Sequence, residues 1–442
     1  MKMIKDVREY LDHLNKQGYL DVVEDRVKLS HIPQLLAEQE KTGNAVIFKN
    51  IEGYDYPIFN NLFGKRAFLA SVFECPIENV VDIFGERMEQ RIKPVMVDNA
   101  PVHEVVLNKG DFDIRKFPFI VHSAHDVGRY ITGGMVIAKD PETGVRNCSF
   151  NRMQLKGPDK TGLRMSPTQD LESYYRKAVA MKKPLEIAVV IGSHPMCLLA
   201  AACGPARDVD ELEIAGALCG EPIPLVKCKT IDMEVPAYAE VVIEGKIMPG
   251  EMEDEGPFGD FQEYYIETMK NHIVHFQCLT MRKNPMIQVI RAGSTDDITL
   301  LGSPREAQIK KCLTANNVDV RAINIMVCKN YLTCAIAIHK QYEFEVKNAL
   351  MMAFGSFKFL KNCIIVDEDV NVFDPADLFW AMATRMRPAE GLLVVPNAMG
   401  FGRDKYGIHT TKLGIDATAP FNEWQEFTRV TVPAPEDCEG KE

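Results

Sequence analysis

Between residues 106 and 310 the chain is written mostly in short β-rich runs punctuated by turn residues, and this restricts the fold more than any other feature. The runs are Tyr130–Ala138, Asn147–Leu155, Glu186–Ile191, Leu225–Cys228, Ala237–Ile247 and Asn271–Thr280, separated by Gly/Pro/Asp clusters such as Lys156–Lys160. Many short strands with turn signals between them predict a barrel-like sheet. Helical patterns interrupt at Leu171–Met181 and Asp208–Leu218, which predicts helices laid outside that sheet. The flanks read differently. Ile4, Val7, Leu11 and Leu14 have the spacing of an amphipathic helix over 4–17. Further helices are expected at Ile32–Lys41, Asn60–Val72 and Ile77–Gln90, with a strand at Ala45–Lys49. Past Ala307, helix and strand alternate: a helix near Glu306–Thr314, strands around Ile323–Val327 and Cys334–Ala337, then a helix at Phe344–Phe354. The expectation is an α+β, multidomain chain. An N-terminal α+β domain covers 1–105, a central β domain 106–310, and a C-terminal α/β domain with its tail 311–442. A chain of 442 residues also exceeds what one core fills.

Charge and motifs exclude several function classes. The formal net charge is −11, so the surface lacks the basic footprint of a nucleic-acid or anionic-membrane binder. A negatively charged substrate then needs a local positive site. The opening MKMIKDVREYLDHLNKQGY carries charges throughout and no apolar h-region, and the longest apolar runs are too short to span a bilayer. The twelve cysteines form no C-x-x-C pair, which predicts reduced, mostly buried thiols and a cytoplasmic protein. There is no P-loop, no G-x-G-x-x-G between strand and helix, no G-x-S-x-G and no H-E-x-x-H.

Three segments could carry chemistry. In Glu253–Phe261 the stretch Gly256-Pro257-Phe258-Gly259 forces a tight turn between Glu255 and Asp260. Two carboxylates on one rigid turn can hold different environments, one pairing with a cation and the other acting as an acid. Acid-rich turns are also common as solvated loops. In Arg146–Arg152 a regular strand would put Asn147, Ser149 and Asn151 on one face and Arg152 on the other. An amide oxygen suits a hard divalent metal and an arginine clamps a carboxylate, although an edge strand with one wet face reads equally well. In Arg207–Glu213 the acids open a helix, which N-capping and the macrodipole largely explain.

In this order, the three segments resemble the UbiD-type decarboxylases. Asn147 to Arg152 matches an N-x-x-x-x-R strand, Glu211 a metal-binding Glu on a helix, and Glu255 to Asp260 the turn E-G-P-F-G-[DE]. Gly220–Lys227, Pro236–Glu240, Pro304–Ala307, Trp380–Arg385 and Asp416–Thr418 extend the likeness over nearly the whole chain. The resemblance implies a central split β-barrel holding prenylated FMN. It also implies Mn2+ or a similar divalent ion, with K+ as a possible companion. Arg152, Glu255 and Asp260 would be catalytic. Asn147, Ser149, Phe150, Arg152, Gln169 and Glu211 would hold the cofactor, with Asn147, Gln169 and Glu211 on the metal. Gln169, in Ser166-Pro167-Thr168-Gln169, stands where the family usually has a histidine, which puts that ligand in doubt. Thr168, Phe261 and Leu301 would line a pocket for an aromatic, heteroaromatic or α,β-unsaturated carboxylic acid. The implied reaction is reversible decarboxylation through a covalent cofactor–substrate adduct, closed by proton transfer from Asp260. The carboxylase direction in the cell, or an inactive flavin-binding assembly subunit, is the alternative. The implied partners are a flavin prenyltransferase as cofactor supplier and copies of the chain in a homodimer or homohexamer.

Overall fold

The computed structural model describes residues 4–325, 327, 330–430 and 432. The chain divides into two compact units, residues 1–307 and 308–442.

The first unit opens with the amphipathic helix Val7–Lys16, capped by the Asp6 side chain on the Glu9 amide. A four-stranded sheet follows, in the order Leu20–Val27, Ala45–Ile51, Ile58–Asn60 and Ile287–Gln288. Its last strand comes from far along the chain. Two residues carry no periodic signal, so only the fold reveals that strand. The expected helix over Asn60–Val72 is shorter, Arg66–Phe73, because Ile58–Asn60 is taken up by this sheet.

The centre of this unit is a nine-stranded sheet. Its hydrogen-bonded path runs Tyr130–Ile131, Met153–Leu155, Lys160–Leu163, Met269–Met281, Val241–Glu255, Leu185–Ile191, Gly134–Lys139 and Arg146–Phe150, with Val105–Asn108 paired to the outside of Met269–Met281. The last strand of the path ends at Phe150 and the second begins at Met153, so two residues, Asn151 and Arg152, join strands that lie six places apart. A flat sheet spaces strands by about 4.8 Å. Such a link is possible only if the sheet curls until its ends nearly meet. The ladder stays open at that seam, which makes the sheet a split barrel and not a closed one.

Leu185–Ile191 is buried along almost its whole length. One face joins a core with the helix Asp170–Ala180 through Leu171 and Tyr174. The helix Pro195–Cys203, every residue of it buried, packs on the strand Arg146–Phe150. Sequence reading missed this helix because an all-apolar run has no amphipathic period.

Several expected strands change shape. Asn147–Leu155 is two strands broken at Asn151–Arg152, so the simple alternation that put Arg152 opposite Asn147 does not continue through it. Tyr130–Ala138 is likewise interrupted at Thr132–Gly133. The strand expected at Ala237–Ile247 starts at Val241 and continues to Glu255. A register shift after Ile247, with Gly250 at φ +74°, lets pairing resume against Met269–His272.

The second unit holds a five-stranded sheet, in the order Val320–Asn324, Thr333–Ile338, Asn362–Asp367, His409–Ala417 and Leu392–Met399. The helices Glu345–Ser356 and Pro375–Thr384 accompany it. Of the strand expected at Ile323–Val327, Met326 lies outside the described residues. The helix expected near Glu306 begins eleven residues earlier, at Thr295, and carries Pro304 inside it.

Candidate active site

The long strand delivers Glu255 as its last residue, fully buried, while Asp254 before it is exposed and Glu253 is half-buried against Lys160. The reading of a uniformly solvated acidic loop therefore fails at Glu255. At the seam, Arg152 turns toward it: Nε donates to Oε1 at 3.0 Å and Nη2 to Oε2 at 2.9 Å. The pair is a parallel fork, the geometry in which a guanidinium and a carboxylate bond best. Asn271, on the neighbouring strand, donates to the same Oε2 at 2.9 Å. The guanidinium lies 4.4 Å from the Phe258 ring centroid, and Tyr130 packs on the same ring at 4.6 Å. Burial, and next the charge of Glu255, raise the Tyr130 phenol far above its ordinary range, so it stays protonated. Among the described residues, Arg152 Nη1 is buried without a hydrogen-bond partner.

Past the bend, Phe258–Gly259 pairs with Tyr265–Ile266 as a two-stranded ribbon, and Asp260, buried, donates its amide to the Tyr264 carbonyl at 3.0 Å. The five-residue spacing from Glu255 to Asp260 thus places one carboxylate in an ion pair and the other on a separate short ribbon. Phe261 is buried directly behind, with Gly293 against its backbone: a Cβ there would come within 3.0 Å of the Phe261 carbonyl oxygen.

A second cluster forms on the other side of the seam segment. Asp210 caps the helix Glu211–Cys219 by accepting the Leu212 amide, and Arg146 donates to the same carboxylate. The cap leaves Glu211 as the first helical residue, pointed at the strand. Its Oε1 accepts from Asn147 Nδ2 and its Oε2 from the Cys148 amide, both at 2.9 Å. Burial pushes the Glu211 carboxyl up to about 8, against the pull of those two donors. Among the described residues, Asn147 Oδ1 is buried with no hydrogen-bond partner. A buried carboxylate short of positive charge beside an orphaned amide oxygen is a donor set suited to a hard divalent cation. Cys148, Asp210 and Glu211 also offer ligand atoms within 4.8 Å of one another, but the Cys148 thiol is held protonated by burial.

Gln169 is engaged otherwise. Its Oε1 accepts from the Ser166 amide at 2.7 Å and from Asn151 Nδ2 at 3.2 Å, which ties the turn before the helix Asp170–Ala180 to the seam. Ser149 donates to Asn151 at 2.9 Å, and Phe150 is half-buried beside it. Thr168 lies exposed on the Ser166–Gln169 turn, and Leu301 is half-buried on the helix Thr295–Ala315. Sequence reading missed Asn271, sixteen residues from Glu255 on the neighbouring strand, and Tyr130 and Asp126, whose partners Phe258 and Gly259 lie more than a hundred residues away, because nothing in their local sequence signals those partners. Among the described residues, every cysteine is a free thiol and no helix is long and apolar enough to cross a membrane.

The curled sheet thus carries a buried arginine–glutamate fork at its seam and a second buried carboxylate, Asp260, on the adjoining turn. Models of the 3-octaprenyl-4-hydroxybenzoate carboxy-lyase family match the chain throughout. The N-terminal domain matches residues 11–88, the Rift-related domain 93–295 and the C-terminal domain 298–417. The chain is 33% identical over 432 residues to the anhydromevalonate phosphate decarboxylase of Methanothermobacter thermautotrophicus, covering 96% of this chain and 99% of that protein. The UbiD-class enzyme HmfF from Pelotomaculum thermopropionicum, solved in complex with FMN, superimposes with a TM-score of 0.92 at 36% identity, over 98% of both chains. An evolved dimeric form of the same enzyme, in complex with prFMN, gives 0.90 at 35% identity over 99% of both. The protein belongs to the UbiD family and is a carboxy-lyase.

Proposed function

We propose that this chain reversibly decarboxylates an aromatic, heteroaromatic or α,β-unsaturated carboxylic acid, using prFMN and a divalent cation. The observation that carries the reading is the buried Arg152–Glu255 fork, with a free Nη1 on Arg152 and Asp260 five residues beyond Glu255. The similarity to a prFMN-bound UbiD-class enzyme supports the cofactor. The name of the relatives at 33% and 32% identity supports an unsaturated acid as one substrate class.

When bound, prFMN supplies the electron sink for cleavage of the carbon–carboxyl bond, which no protein side chain provides. The residues do the rest. Arg152 binds the substrate carboxylate through Nη1 while Glu255 and Asn271 hold the guanidinium plane still. Fixing the acid in this way removes most of the orientational entropy from the barrier. Asp260 delivers a proton to the carbon that has lost carbon dioxide, and takes it back in the carboxylation direction. Phe261, with Thr168 and Leu301, forms the wall against the substrate body. Asn147 and Glu211 would hold a Mn2+-like ion, which would supply positive charge to an anionic cofactor, with K+ as a further counter-ion. Gln169 joins them only by releasing Asn151. Ser149 and Phe150 would also contact the cofactor. We further infer a cytoplasmic homodimer or homohexamer that depends on a flavin prenyltransferase for its cofactor.

The test is to co-express the chain with a flavin prenyltransferase, weigh the released flavin by mass spectrometry, and assay carbon dioxide release from a panel of aromatic, heteroaromatic and α,β-unsaturated acids. A prenylated FMN mass with turnover of one class is expected. Protein loaded with prFMN and Mn2+ that releases no carbon dioxide from any of these acids would overturn the reading.

A further inference from the structure

The turn that carries Asp260 is held from outside by a segment that the reaction scheme does not use. Residues 122–127 run alongside it and contact it at four points. Val127 donates its amide to the Pro257 carbonyl at 3.1 Å. The His125 amide donates to the Tyr265 hydroxyl at 3.2 Å, and the two rings stack edge-on at 5.1 Å. Ser123 lies so close under Gly259 that a Cβ added to the glycine would come within 2.4 Å of the serine Oγ. The fourth point is the side chain of Asp126. Its Oδ1 accepts the Gly259 amide at 2.8 Å, while Oδ2 accepts the amides of His122 at 3.0 Å and Ser123 at 2.8 Å.

One carboxylate therefore ties its own loop and the catalytic turn into a single body. Charge-assisted bonds from a carboxylate to backbone amides are roughly twice as strong as neutral ones, and here three converge on one group. The bond to Gly259 falls on the residue immediately before Asp260. That amide belongs to the Phe258–Gly259 peptide, one unit before the peptide whose N–H Asp260 donates to Tyr264, so the bond fixes the approach of the backbone to Asp260. Without it, the short ribbon of Phe258–Gly259 and Tyr265–Ile266 keeps its internal pairing but loses the tie from residues 122–127 that bonds the strand leading into Asp260.

We propose that Asp126 is a positioning residue for the proton transfer, holding Gly259 so that Asp260 meets the reacting carbon. The inference rests on the role given to Asp260 above. Asp126 itself touches neither substrate nor cofactor in this scheme. Its removal lowers the rate of the chemical step and leaves cofactor and substrate binding largely intact. A misplacement of about 1 Å at a reacting group costs on the order of 100-fold in rate.

Two measurements test this, and only one depends on turnover. Hydrogen–deuterium exchange on flavin-free wild type and Asp126→Ala reads the turn directly. Amides of residues 257–266 should exchange about tenfold faster in the variant, as expected for loss of a charge-assisted bond, with the rest of the central sheet unchanged. Unchanged exchange in 257–266 overturns the proposal. Steady-state kinetics on the prFMN-loaded proteins read the consequence. Asp126→Ala should lose about 10- to 100-fold in kcat with KM within about twofold and equal flavin content. Asp126→Asn, whose amide oxygen still accepts from Gly259, should recover much of that loss. A kcat within twofold of wild type, or a defect expressed as lost flavin or raised KM, overturns the positioning role. If Asp126→Ala does not fold, Asp126→Asn against Asp126→Leu makes the same comparison. Faster exchange in Asp126→Ala, combined with a prFMN-loaded wild type that turns over no acid, would overturn the positioning role together with the proposed reaction.

Discussion

At the scale of single residues, Arg152 concentrates the energetics of the site. It is almost wholly buried against a fully buried Glu255, and Asn271 supplies a further donor to that carboxylate. Breaking a buried pair by deleting one partner strands the other charge, at a cost of about 3–5 kcal/mol. Arg152→Ala should therefore lose stability on this scale in urea unfolding as well as activity, so it is a poor probe of chemistry alone. Arg152→Lys keeps the charge and loses the fork. With the flavin still bound, its kcat/KM should fall by about 100-fold or more, and near-native turnover would remove orientation by the fork from the scheme. The Glu255–Asp260 turn was legible in the sequence because glycine and proline fix its shape locally. The pairing of Arg152 with Glu255 was not, since the two lie 103 residues apart and only resemblance to a family joined them.

Among the elements, helix starts do much of the positioning. Asp210 caps the helix whose first residue is Glu211, and also takes Arg146. Asp210→Ala should cost about 1–2 kcal/mol in thermal or urea unfolding and free Glu211 to swing from Asn147. Acids in a first helical turn were visible in the sequence, but which one caps and which one points inward depends on where the helix begins. In the long helix Thr295–Ala315 a first-turn acid bonds away from its own helix instead. Asp296, fully buried, accepts the amides of Phe63 at 2.7 Å and Asn61 at 3.2 Å. Burial pushes its carboxyl up to about 7. Because the folded value lies above the unfolded one, near 4, the native state holds this proton more tightly than the unfolded chain. Its contribution is complete below about pH 4 and lost as pH rises through about 7. Unfolding free energy of wild type should thus decline over that window relative to Asp296→Asn, measured by urea titration at each pH. Parallel pH profiles would show that Asp296 does not carry the proton.

For the whole molecule, the cofactor reading makes a linked prediction. Anything that binds only the native state stabilises it, by about 2.7 kcal/mol at 100 times Kd. FMN supplied with Mn2+ should raise the Tm of the wild-type transition, and Glu211→Ala should lose the part that depends on Mn2+. An equal metal response in that variant would take Glu211 out of the site. The broad architecture was readable in advance: helices at Val7–Lys16 and Asp170–Ala180 follow from apolar spacing, and short strands between turn residues announced a curled sheet. Local chemistry suffices for these, since caps, turns and periodicity act within a few residues. The sequence also carried the family likeness through ordered phrases. Only the tertiary structure decided that the ladder opens between Phe150 and Met153, that the chain returns at Ile287 to complete the first sheet, and that Asp126 grips Gly259. Each of these depends on which distant backbone groups the closing of the sheet brings within hydrogen-bond reach, and no local pattern encodes that distance.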